Sequence, residues 1–142
     1  MFVKKLIHYI GGGGRTFYYI FLRSAGVTIG KGTMISLRAK IDTRRGKIII
    51  GKNSHITYGC ILLSHDGSAK QRIPGADGLG QVVIGDNVFV GVGSIILPNV
   101  TIGDNSVIGA GSVVSKDIPA NVVAVGNPAK VIKHLKERCD FP

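Results

Sequence analysis

From Val27 onward, aliphatic residues return every six positions. Ile29, Ile35 and Ile41 form one run, Ile50, Ile56 and Leu62 a second, and Ile84, Val90, Ile96, Ile102, Ile108 and Val114 a third. Two positions before each stands a residue that is nearly always small or β-branched: Val27, Thr33, Ala39, Ile48, Ser54, Cys60, Val82, Val88, Ser94, Val100, Ser106 and Ser112. Side chains two apart on a strand point to the same face, so both columns would share an interior. Gly follows the aliphatic position at 30, 51, 85, 91, 103 and 109. Three positions after it come Gly32, Asn53, Gly59, Asn87, Gly93, Asn99, Asn105 and Gly111, with Arg38, Arg44, His65 and Asp117 as exceptions. Gly and Asn tolerate the left-handed backbone region, so this last column marks a corner after every short strand. The pattern predicts an all-β, triangular prism, each side contributing one large and one small residue to the core. No repeat can bury its apolar face alone, so the coils must stack.

Two interruptions punctuate the rhythm. Three extra residues within 42–47 predict a small bulge at a corner, and the Gly-, Asp- and Pro-containing stretch 66–81 predicts a loop thrown out from the prism. Residues 1–26 read as an N-terminal cap over one end, and 27–126 as the coil. After Asn127-Pro128 the spacing of Val131, Ile132 and Leu135 predicts that 127–142 closes the other end as a C-terminal helix.

Composition agrees with a β-rich solenoid. Gly occurs 21 times, aromatics make up only 6% and Trp is absent, so the core must be aliphatic. The formal charge of +10 is spread without a dense basic run or interleaved aromatics, which argues against a nucleic-acid partner. Cys60 and Cys139 are too few for a disulfide framework or a zinc site and read as reduced thiols. No stretch approaches the ~20 apolar residues of a membrane span. The expected location is therefore cytoplasmic, although the basic, aromatic N-terminal segment around Phe17–Leu22 is also suited to a peripheral membrane contact.

The stretch from Ile84 to Lys133, including Ile102-Gly-Asp-Asn-Ser-Val-Ile-Gly-Ala-Gly-Ser-Val-Val-Ser-Lys-Asp-Ile-Pro119 and Val125-Gly-Asn-Pro-Ala-Lys-Val-Ile132, closely resembles the hexapeptide-repeat acyltransferases. Among them, the sugar O-acetyltransferases of the maltose and galactoside type are the most similar. The resemblance covers roughly residues 27–133. It implies a left-handed parallel β-helix, a hand that runs against the usual right-handed crossover. It further implies a homotrimer, with acetyl-coenzyme A as acyl donor in the groove between neighbouring prisms.

In similar enzymes the His preceding the extended loop is the general base, which points to His65 in Leu63-Ser-His-Asp66. From position alone His65 could equally be a corner residue in a left-handed conformation. Transfer from a thioester to a hydroxyl needs a proton removed as oxygen attacks, and imidazoles ordinarily titrate near pH ~6.5. Neither a metal nor an acyl-enzyme is needed. Asp66 is a candidate to orient the imidazole or meet the acceptor. For the cofactor, the resemblance points to Val92, Ala110, Ser115, Lys116, Lys130 and Lys133, the lysines serving its phosphates as point charges. Val92 and Ala110 are one eighteen-residue coil apart, so they should stack along one edge.

The acceptor expected is a hydroxyl of a sugar or glycan precursor. The chain lacks the galactoside-type Asn near Met34-Ile-Ser-Leu37 and their acidic N-terminal domain, and its compact architecture looks more like the acetyltransferases of polysaccharide biosynthesis. Serine or antibiotic acceptors, or a noncatalytic scaffold, are the alternatives. A three-His zinc site of the γ-carbonic anhydrase type is disfavoured, because only His55 and His65 fall within the coils.

Overall fold

The computed structural model describes residues 14–44 and 46–136. Among the described residues, fourteen short strands form three sheets. The first sheet runs β1 (Thr28–Ile29), β4 (Lys47–Ile50), β7 (Gln81–Ile84) and β10 (Val100–Ile102). The second runs β2 (Met34–Ile35), β5 (His55–Ile56), β8 (Phe89–Val90), β11 (Val107–Ile108), β13 (Val122–Gly126) and β14 (Ala129–His134). The third runs β3 (Lys40–Ile41), β6 (Ile61–Leu62), β9 (Ile95–Ile96) and β12 (Val113–Val114). The chain visits the sheets in rotation, and all pairings except β13 with β14 are parallel. The molecule is a left-handed parallel β-helix.

The core is the pair of columns read from the sequence. Every position of the small column is buried, and so is every aliphatic position except the half-buried Ile41. Burying hydroxyls in such a core is tolerable only if they are hydrogen-bonded. Ser54, Ser94 and Ser106 each donate to a carbonyl of the next coil, those of Gly85, Gly109 and Pro119, at 2.7–2.9 Å. The eight Gly and Asn corner residues all have positive φ, from 52° at Asn53 to 77° at Gly32. Arg38, Arg44, His65 and Asp117 do not.

The Gly column beside the aliphatic one has a different cause. A Cβ on Gly91 would sit 2.6 Å from the Ala110 nitrogen, and one on Gly30 2.4 Å from the Gly51 carbonyl carbon. These glycines let one coil settle on the next.

One more coil follows the twelve positions recognised from the pattern. Ile118 pairs with Ile102 and Val123 with Val107, a step of sixteen residues instead of eighteen, because the turn at 115–117 is shortened. Asn121, with φ 59°, is its corner.

Helix α1 (14–24) lies over the first coil, with Leu22 buried. The Tyr18 hydroxyl donates to the Ala39 carbonyl, and that of Tyr19 donates to Thr33 while accepting from the Ile35 N–H. At the other end the expected C-terminal helix is replaced by strand β14, antiparallel to β13 through a turn at Asn127-Pro128. The edge of β13 offers a row of unpaired backbone groups, and the β-branched Val131 and Ile132 fit a strand as readily as a helix, so sheet pairing overrides three apolar positions at helical spacing. The first thirteen residues of the expected cap and 137–142 of the expected helix lie outside the described residues. Among the described residues no helix is long and apolar enough to cross a membrane.

Candidate active site

The site is assembled where the third sheet turns into the first. After β6 the chain reaches Ser64 and His65, leaves the prism, and forms helix α2 (Gly67–Arg72) before returning. The neck of this loop is pinned by a bridge between His65 and Leu79, by Asp66 N–H donating to the Gly78 carbonyl at 2.7 Å, and by Gly80 N–H donating to that of Ser64 at 2.8 Å. His65, fixed at that neck, lines a pocket of about 230 Å³ with Arg44, Lys70, Asp77 and Leu79 among its walls. Since His65 is not in the left-handed region, the corner-residue explanation for it fails.

The imidazole is held by Asp42, one coil below. Nδ1 of His65 lies 2.5 Å from Asp42 Oδ2, with the carboxylate side chain 4% exposed and the imidazole 33%. Asp42 directly follows β3 and keeps the ladder, its N–H donating to the Leu62 carbonyl at 2.9 Å. Oδ2 also accepts from the Ser64 N–H at 3.2 Å, and Oδ1 from the Arg44 N–H and Nε, both at 3.2 Å. Burial alone would push the Asp42 carboxyl up. The hydrogen bonds from His65, Arg44 and Ser64 outweigh it and hold the group well below the usual carboxylate range. A carboxylate acceptor that is ionised near neutral pH requires the proton on Nδ1, which leaves Nε2 as the basic nitrogen. Nε2 makes no hydrogen bond among the described residues.

Asp66 is engaged elsewhere. Its Oδ1 caps α2, accepting from the N–H groups of Ser68 and Ala69 and from the Ser68 hydroxyl, and these bonds lower its pKa. The carboxylate in contact with the imidazole is therefore that of Asp42, not Asp66. Its sequence signal was faint: Asp42 is the one charged residue in the column after the aliphatic, where Gly predominates.

The six residues expected to hold the cofactor do not gather in one place on a single chain. Val92 and Ala110 stack where the second sheet turns into the third, the Gly111 N–H donating to the Val92 carbonyl at 2.8 Å. The Val92 N–H and both backbone groups of Ala110 have no hydrogen-bond partner among the described residues. Ser115 and Lys116, both exposed, lie on the same edge as His65 but further along the prism. Lys130 and Lys133 are exposed on β14 at the C-terminal end of the second sheet.

A family model described as bacterial transferase hexapeptide (six repeats) matches residues 81–116. Protein CapG of Staphylococcus aureus is 44% identical over 120 residues, covering 81% of this chain and 70% of CapG. Among solved structures, a maltose O-acetyltransferase from Clostridium difficile 630 is 31% identical with a TM-score of 0.63, covering 90% of this chain and 89% of that one. A hexapeptide-repeat-containing acetyltransferase from Vibrio cholerae, solved in complex with acetyl coenzyme A, is 29% identical with a TM-score of 0.69, covering 79% of this chain and 62% of that one. With the stacked coils, the Gly and Asn corners and these similarities together, the chain belongs to the hexapeptide-repeat transferase family.

Proposed function

We propose that the chain transfers the acetyl group of acetyl-coenzyme A to a hydroxyl of a sugar or glycan precursor, with His65 as the general base. The observation that carries this reading is the Asp42–His65 pair at the mouth of a pocket, with Nε2 uncommitted. The thioester supplies an already activated acyl group. Nε2 takes the acceptor's proton as its oxygen forms the new ester bond, and returns it to the departing sulfur, so no proton is left over. Asp42 keeps the ring in one tautomer and balances the imidazolium that forms between those two events. The acetyl-coenzyme A bound by the Vibrio cholerae protein and the maltose named for the Clostridium difficile one support donor and acceptor class respectively.

The distribution of cofactor candidates supports a shared site. Val92 and Ala110 occupy one edge of the prism, while His65, Ser115 and Lys116 occupy another. A ligand lying between two copies could touch one edge of each, as the trimer implied by the family resemblance would allow. The free backbone groups of Ala110 would meet the amides of the pantetheine arm, and Lys116, Lys130 and Lys133 the phosphates.

The test is thiol release from acetyl-coenzyme A in the presence of a panel of sugars. His65→Ala should lower kcat by more than about a hundredfold, together with a modest fall in unfolding temperature because the buried Asp42 carboxylate loses one of its donors. Undiminished turnover by that variant would remove His65 from the role of base.

A further inference from the structure

Helix α1 has two unlike stripes. Tyr18, Tyr19 and Leu22 face the first coil and are tied to it. Phe17, Ile20 and Phe21, spaced i, i+3, i+4 on the helix, are 78%, 58% and 57% exposed. Leu37, also exposed, adjoins the start of the helix. Scattered apolar side chains on a surface need no explanation, but three large ones along one helical stripe do.

The charges at this end are just as uneven. All eight acidic residues lie at or beyond Asp42, so the first 41 residues carry seven basic groups and no acidic one. Within the described part, Arg15, Arg23, Lys31, Arg38 and Lys40 are all exposed. Arg23 donates to the Ile29 carbonyl and Arg38 stands over the Tyr58 ring, and none of the five is paired with a carboxylate among the described residues.

We propose that the N-terminal end of the prism is a docking surface for an anionic lipid bilayer, with Phe17, Ile20 and Phe21 entering the headgroup boundary and the surrounding cations meeting lipid phosphates. An apolar helical stripe flanked by uncompensated positive charge is the arrangement that partitions into such an interface. A second copy of this chain is a poor occupant, since two such ends would bring like charges together. Residues 1–13 add Lys4 and Lys5 and no acid, so they do not neutralise the surface.

The experiment is vesicle flotation of the full chain, independent of any catalytic readout. Wild type should float with vesicles containing about a third phosphatidylglycerol, at least tenfold less with phosphatidylcholine alone, and should be released by about 0.5 M salt. The Phe17→Ser, Ile20→Ser, Phe21→Ser triple variant keeps every charge and should lose at least tenfold in partitioning, with unfolding temperature unchanged because the three side chains are exposed. If the triple variant folds poorly, Phe17→Ser alone should still show a loss of severalfold. The chain has no Trp, so Phe21→Trp provides a single reporter whose emission should shift to the blue on adding anionic vesicles. Wild type that stays unbound, a triple variant that floats as well as wild type, or an unshifted reporter would each overturn the proposal. So would light scattering that finds the stripe consumed by self-association.

Discussion

Asp42 and His65 are 23 residues apart and meet because they follow β3 and β6, paired strands of successive coils, at the same corner of the prism. Replacing that carboxylate by an amide keeps shape and removes charge. Asp42→Asn should lower kcat by about tenfold or more, with a smaller effect on KM, when measured in the thiol-release assay. The same change has a signature in stability. A carboxyl held below its unfolded value of ~3.9 stabilises the fold above that pH, and the contribution is lost as pH falls toward the folded value. Between about pH 4 and pH 2 the wild type should therefore lose stability to urea more steeply than Asp42→Asn, and parallel curves would show that the pair adds nothing to folding. Half of this pair was legible in the sequence. His65 interrupts a column of Gly and Asn just before a loop, whereas Asp42 is followed by extra residues that break the six-residue count between it and the next coil, so its neighbour could not be counted off. Asp66, adjacent in sequence, was the natural candidate, but the start of α2 needs its oxygen.

At the level of elements, most strands here are only two or three residues long and would not persist alone. They persist because each is hydrogen-bonded to a neighbouring strand, the inner ones on both sides, and that contact depends on glycines that leave room for a neighbouring backbone. Gly91→Ala presses a methyl group onto the Ala110 nitrogen, where the nearest atom is main chain and cannot swing aside. It should cost about 1–3 kcal/mol by denaturant unfolding, while Gly67→Ala, open on that side, should cost much less. The corners and interior columns could be read from spacing because the same physical demand recurs every six residues. The last element could not. The apolar positions Val131, Ile132 and Leu135 are compatible with either period, and the choice of strand for Ala129–His134 is made by the exposed edge of β13, which exists only after the prism is built.

For the whole molecule, contacts run from coil to coil, and two edges carry different parts of the candidate chemistry. Whether those parts act within one chain or between chains can be decided by mixing. His65→Ala and Ala110→Trp each disable one edge. Co-assembled at random, chains of the two kinds should regain about a quarter of the wild-type sites if each site draws on two copies, and none if it draws on one. The regain should appear in thiol release from co-expressed, co-purified protein. Val82 lies over Val100, and Val83 over Thr101, by the same ruler of eighteen residues. A segment duplicated or excised in that measure would lengthen or shorten the rod and leave every inward side chain inward. A long insertion is instead expelled sideways, as it is between β6 and β7, and the expelled stretch is the one that walls the pocket beside His65. Under the proposed function, the choice of acceptor would be free to drift with the size and sequence of that loop while the rod beneath it stays the same.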